Sequence, residues 1–181
     1  MGTNGSTMLE PLRQGPPPID ASDASSSASC TLPPRYEAVR GARTFTSRTL
    51  AAWGLSERFD DVALVVSELV TNALRHALPV DAPRGQEQPV RLHLMRWTGR
   101  LVCAVRDPSQ ESPVASEAED SAECGRGLFL VDSFSDSWGW QPLAGPVTGK
   151  VVWALFRLPA TDGTGCGGPG RPADGNERTT D

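Results

Sequence analysis

The chain has 181 residues, a formal net charge of −5 and 38% apolar residues. That length suits one domain with tails. The mild acidity and a single lysine, Lys150, argue against sequence-independent nucleic-acid binding, which needs a basic face.

No apolar run approaches the roughly 18 residues needed to span a bilayer. The N-terminus lacks the basic-then-apolar pattern of an export signal, so a cytoplasmic location is expected. The apolar shortage sits at the ends. Residues 1–30 are rich in Ser, Pro and Gly, and 160–181 in Gly and Pro. Neither segment can bury enough apolar surface to offset its ordering entropy, so both are expected to be disordered tails. Residues 31–159 remain as one folded domain, long enough for a core. Cys30, Cys103, Cys124 and Cys166 show no CxxC or zinc spacing and read as ordinary reduced thiols.

Within the domain, a short extended piece around Thr31–Pro33 precedes a helix predicted over Arg35–Trp53, where Val39, Ala42, Phe45, Thr49 and Trp53 recur at helical spacing. Gly54 is a plausible cap. A second helix is predicted over Phe59–Ala77, with Val62, Val65, Val66, Leu69 and Ala73 on one stripe. Pro79, Pro83 and Gly85 begin a polar loop. The period then changes. VRLHLMRW and LVCAVRD alternate apolar and polar residues around Thr98–Gly99 and read as a β-hairpin. Residues 108–124 have no periodicity and read as a long loop. A helix is predicted from about Gly127, followed by a short strand at WGWQ and a last strand at KVVWALFRL. The economical architecture for this series is a mixed sheet covered on one face by helices.

Three places carry residues suited to chemistry. In SELVTNALRHA, Glu68 and Asn72 are four apart and share one helix edge. A carboxylate there can orient or deprotonate a nucleophile, and an amide oxygen suits Mg²⁺, a hard ion that prefers oxygen. The same pair also fits a solvated polar boundary beside an apolar stripe. Asp107 ends a strand and can accept a hydrogen bond from an exocyclic amine, or serve as a turn residue. In ECGRGL, Gly125 and Gly127 bracket Arg126 just before a helix. Glycines admit a close ligand and a helix start presents free N–H groups to an anion, although Gly-x-Gly is also plain loop chemistry. Neither the dinucleotide-binding fingerprint nor the P-loop pattern is met.

Taken in order, a Glu-x-x-x-Asn helix, a strand ending in Asp, a long loop, a Gly-x-Gly-Leu helix start and a closing strand form one series. It resembles the Bergerat-type ATP-binding fold of gyrase B, heat-shock chaperone ATPases, sensor histidine kinases and mismatch-repair ATPases. Among small members it is similar to the anti-sigma-factor serine/threonine kinases and related actinobacterial regulators. SELVTNALRHA looks like their N box, VRDPS like a first glycine-box strand end, GRGLFLVDSFSDSWGW like the second glycine box, and GKVVWALF like the closing strand.

The resemblance implies an α/β two-layer sandwich, with a mixed, mostly antiparallel sheet covered on one face by helices, and ATP with Mg²⁺ as cofactors. It implies that Glu68 is the catalytic carboxylate acting on a partner hydroxyl, that Asn72 binds Mg²⁺, and that Asp107 holds the adenine amine. Gly125, Arg126, Gly127 and Leu128 wrap the phosphates. Arg75 lies near enough to touch the nucleotide, as does His76, for which a structural role is preferred. The implied activity is transfer of the ATP γ-phosphate to a Ser or Thr of an antagonist protein. The implied partners are that antagonist and a sigma factor, through which transcription is regulated, and the small kinases of this kind resemble dimers. Neither His76 nor His93 lies in a long preceding helical hairpin, which speaks against a histidine-phosphorylating reading.

The sequence departs from the family pattern in two ways. Pro108, Ser109 and Gln110 follow Asp107 where glycines are usual. Residues 108–125 carry Glu111, Glu117, Glu119, Asp120 and Glu123 with no Lys or Arg. The acidic loop gives a second expectation, an ATP-dependent binding module without kinase activity.

Overall fold

The computed structural model describes residues 13–14, 24–77, 89–110, 112–113, 126–144 and 148–159. Its elements in chain order are β1 (Arg13–Gln14), β2 (Ser26–Leu32), α1 (Glu37–Ala52), α2 (Phe59–Ala77), β3 (Val90–Trp97), β4 (Arg100–Asp107), α3 (Arg126–Phe134), β5 (Ser137–Pro142) and β6 (Lys150–Arg157), with one 3-10 turn at Ser56–Arg58. The readings of the far N-terminal and C-terminal tails, Cys124, Cys166, the loop at Pro79–Gly85, Gly125 and the acidic residues Glu111, Glu117, Glu119, Asp120 and Glu123 lie outside the described residues.

The strands form one sheet in the order β1-β5-β6-β4-β3-β2. Only the short β1–β5 pairing is parallel; the other pairings are antiparallel. Helices pack on one face, so the expected two-layer sandwich is the observed one. The sheet takes in residues 26–30, ahead of the expected start of the domain. SSASC hides its strand character because small polar side chains carry half of the alternation. Its Cys30 packs on the helix-side core, and Ser27 and Ser29 are exposed.

Parity along the strands sorts the two faces. Leu92 and Leu94 of β3, Leu101, Cys103 and Val105 of β4, and Val152, Ala154 and Phe156 of β6 point into the helix-side core. There they meet Val62, Val65, Val66, Leu69 and Ala73, the stripe predicted on α2, all at most 2% exposed. The opposite face carries a second cluster of Trp97, Val102, Ala104, Trp153 and Leu155. On α1 the buried stripe is Ala38, Ala42, Thr46, Thr49 and Leu50, rotated from the predicted one. Val39, Phe45 and Trp53 pack at its margin, because small residues let α1 lie close to its neighbours. Buried Thr46 satisfies its hydroxyl by donating to the Ala42 carbonyl at 2.8 Å. Arg43 ties α1 to α2: it donates to the Ser67 hydroxyl at 3.2 Å and lies 5.7 Å over the Phe59 ring. Among the described residues no helix is long and apolar enough to cross a membrane.

Candidate functional site

Two groups of residues stand out, both belonging to the helix-facing side of the sheet. The first joins α2 and α3. Glu68 and Asn72 lie on one edge of α2 and both are half-buried, as their spacing predicts. The backbone of Gly127, in the first turn of α3, sits directly against them. A Cβ built there would stand 2.8 Å from Glu68 Oε2, 3.5 Å from Asn72 Oδ1 and 3.7 Å from Asn72 Nδ2. Only a residue without a side chain leaves that contact unperturbed. The N-terminal turn of α3, a nine-residue helix, thus opens beside a carboxylate and an amide oxygen. Helix starts carry unpaired N–H groups and favour negative charge.

The second group gathers where β4 ends and β6 begins. Asp107 is 2% exposed, and its register partner across the two strands is Lys150. Lys150 Nζ lies 2.7 Å from Asp107 Oδ2, with both side chains 3% exposed. The N–H of Ser109 donates to Asp107 Oδ1 at 2.7 Å, a local Asx-type turn. Lys150 also donates to the Ser109 carbonyl at 3.3 Å. Gly149, at φ +121°, is pressed against the Asp107 carbonyl oxygen, and a Cβ there would stand 3.1 Å from Pro108 Cα. A buried carboxylate requires such pairing, since an isolated one is too costly to desolvate.

The other predicted residues fall as follows. Arg75 is exposed on α2. Leu128 is buried, at 9% exposure. Arg126 starts α3. The side chains of Arg126 and His76, and all of Gly125, lie outside the described residues. Lys150 and Gly149 were not singled out for the site from sequence. The signal was available: the only lysine of the chain follows a glycine and opens a strand whose next six residues are apolar.

ATP and Mg²⁺ fit the first group on its own geometry. The space that a Cβ at Gly127 would fill opens onto Asn72 Oδ1 and Glu68 Oε2. These are hard oxygen donors, and Mg²⁺ binds through one or two protein oxygens while sharing phosphates and waters. Among the described residues there is no group of three or more His, Cys, Asp or Glu that could hold a metal ion. Asp107 has the Lys150 ammonium and the Ser109 N–H on its two oxygens.

A separate groove lies over the outer surface of α1 and is lined by Tyr36, Arg40, Arg43, Arg48 and Phe59, among others. It shares no residue with either group.

A profile of the histidine kinase-like ATPase domain family matches residues 32–154. No curated protein matches the chain in sequence.

Proposed function

The chain belongs to the histidine kinase-like ATPase domain family, and from that premise we propose that it binds ATP with Mg²⁺ and works as an anti-sigma-type serine/threonine kinase. It would transfer the γ-phosphate to a Ser or Thr of an antagonist protein and act on transcription through a sigma factor. The observation that carries this reading is the contact of Gly127 with both Glu68 and Asn72. It brings a helix start suited to phosphate against a carboxylate suited to a hydroxyl proton and an amide suited to the metal.

Each residue then has one task. Asn72 Oδ1 would hold the ion, which would supply charge neutralisation on the phosphates. The first turn of α3 receives the phosphate oxygens on its free N–H groups. Glu68 Oε2 would accept the hydrogen bond of the incoming hydroxyl and take its proton as the new oxygen–phosphorus bond forms and the bond from the γ-phosphorus to the β–γ bridging oxygen breaks, with ADP as the leaving group. Catalysis here is positioning and electrostatics. The helical surface supports the partner half of the reading. Its arginine-lined groove, beside a Tyr36 that is 73% exposed, is complementary to an acidic segment of a protein partner.

The test is the full chain and Glu68→Ala, each incubated with γ-labelled ATP and candidate antagonist proteins. Acid-stable label on Ser or Thr is expected with the wild type. Glu68→Ala should lose transfer while keeping ATP binding. Transfer at an unchanged rate by Glu68→Ala sinks the catalytic assignment.

The acidic run of residues 111–123, with five carboxylates and no Lys or Arg, favours one second reading: a module that binds ATP and a partner without transferring phosphate. Tight ATP binding with no label on any candidate supports it.

A further inference from the structure

The sheet face turned away from the helices is apolar at its centre, and it is buried. Trp97, Val102, Ala104, Trp153 and Leu155 form a cluster there and none is more than 8% exposed. A two-layer fold leaves this face to water, and a wet face carries polar side chains. Among the described residues outside β3, β4 and β6, only Ala24 packs on the cluster.

Chain geometry names the cover. Gln14 sits at the β5 edge, in register with Trp140. Ser25 sits at the opposite edge, its N–H donating to the Arg96 carbonyl at 2.8 Å. Between β1 and β2 lie the other four strands, a lateral distance of about 24 Å at the usual strand spacing. Nine residues, 15–23, join Gln14 to Ala24, and fully extended they reach about 33 Å. A path over the helices would add a helix diameter of about 10 Å on each side, which exceeds that reach. A path across the outer face does not.

We propose that residues 15–23 lie across the outer face of the sheet in their own chain, with Ile19 seated on the Val102–Leu155 pair. The sequence of the segment suits this course. A chain crossing strands finds no ladder partner for its N–H groups, and Pro16, Pro17 and Pro18 have none to satisfy. The same run is stiff and extended. Ile19 is the one large aliphatic residue of the segment, midway between Gln14 and Ala24. Midway across the sheet are β6 and β4, where Val102 and Leu155 are register partners. The outer face is then closed to a second copy of the chain, which would have to displace the segment.

The experiment places the photo-crosslinking residue p-benzoylphenylalanine at position 19 of the full chain and maps its adducts by mass spectrometry. Mixing isotopically light and heavy protein separates adducts within one chain from those between chains. Adducts within one chain on the peptides carrying Val102, Trp153 or Leu155 are expected. Adducts between chains, adducts on the helices, or none on the sheet overturn the proposal. A second variant, Ile19→Ala, reads the same contact without a bulky group. Its urea midpoint should fall by about 1 M, the scale of a truncated buried isoleucine, and acrylamide should quench its tryptophans more strongly. A midpoint equal to that of the wild type also overturns the proposal, since Ile19 in a free tail would be indifferent to truncation.

Discussion

Gly127 lies so close to Glu68 that the first atom of any side chain there would stand 2.8 Å from the carboxylate oxygen Oε2. The two residues come from segments far apart in sequence, and the packing of α3 on α2 makes them neighbours. This contact sets the start of one helix against the polar edge of another. It also separates stability from function, because the atom in the way is the end of a flexible side chain.

Gly127→Ala therefore tests function with little cost to folding. The Glu68 carboxylate can swing aside, and alanine is the better helix former, so stability should stay within about 1 kcal/mol of wild type. Phosphoryl transfer should fall about 100-fold, the usual consequence of a misplacement near 1 Å. Chemical denaturation alongside the γ-phosphate transfer assay checks both halves. Unchanged transfer would detach Gly127 from the site.

Gly149→Ala should behave in the opposite way. The residue sits at φ +121° and its Cβ would run into the backbone of Asp107 and Pro108, which cannot rotate away. Destabilisation of about 2 kcal/mol or more is expected, read as a lower midpoint in urea. A midpoint equal to that of the wild type would contradict the close approach of β6 to the end of β4.

Acid should weaken the fold through His93 on β3. Burial first, then Arg91 and Arg106 beside it, hold its pKa below the ordinary 6.5. Between that ordinary value and the lowered one, the unfolded chain binds a proton that the folded chain refuses. Stability must therefore fall as pH drops through that window and level off below it. His93→Gln should flatten this part of the curve of stability against pH, measured by urea denaturation at a series of pH values. An identical slope in the variant would remove His93 as its source.

Much of this architecture is legible in the sequence, for reasons that can be named. The bounds of α2 and the β3–β4 hairpin follow from apolar periods that change from helical to alternating between Ala77 and Val90. Glu68, Asn72 and Asp107 declare themselves because polar side chains interrupt those periods. Strand β2 does not, since Ser26–Cys30 offers serines where a pattern needs large apolar residues. The pairing of Lys150 with Asp107 is equally hidden, because it exists only through the β4–β6 register. The contact of Gly127 with Glu68 depends on how closely two helices approach, a tertiary distance that spacing along one helix does not encode.

The central claim is that Glu68, Asn72 and the start of α3 form an ATP site that works through Mg²⁺. Calorimetric titration of Mg-ATP into the full chain and into Asn72→Ala tests it most directly. The account predicts saturable binding of one nucleotide per chain, dependent on Mg²⁺, and at least about tenfold weaker in Asn72→Ala, the scale of a lost polar contact to a charged group. No saturable binding by the wild type, or equal Mg²⁺-dependent affinity in Asn72→Ala, would contradict it.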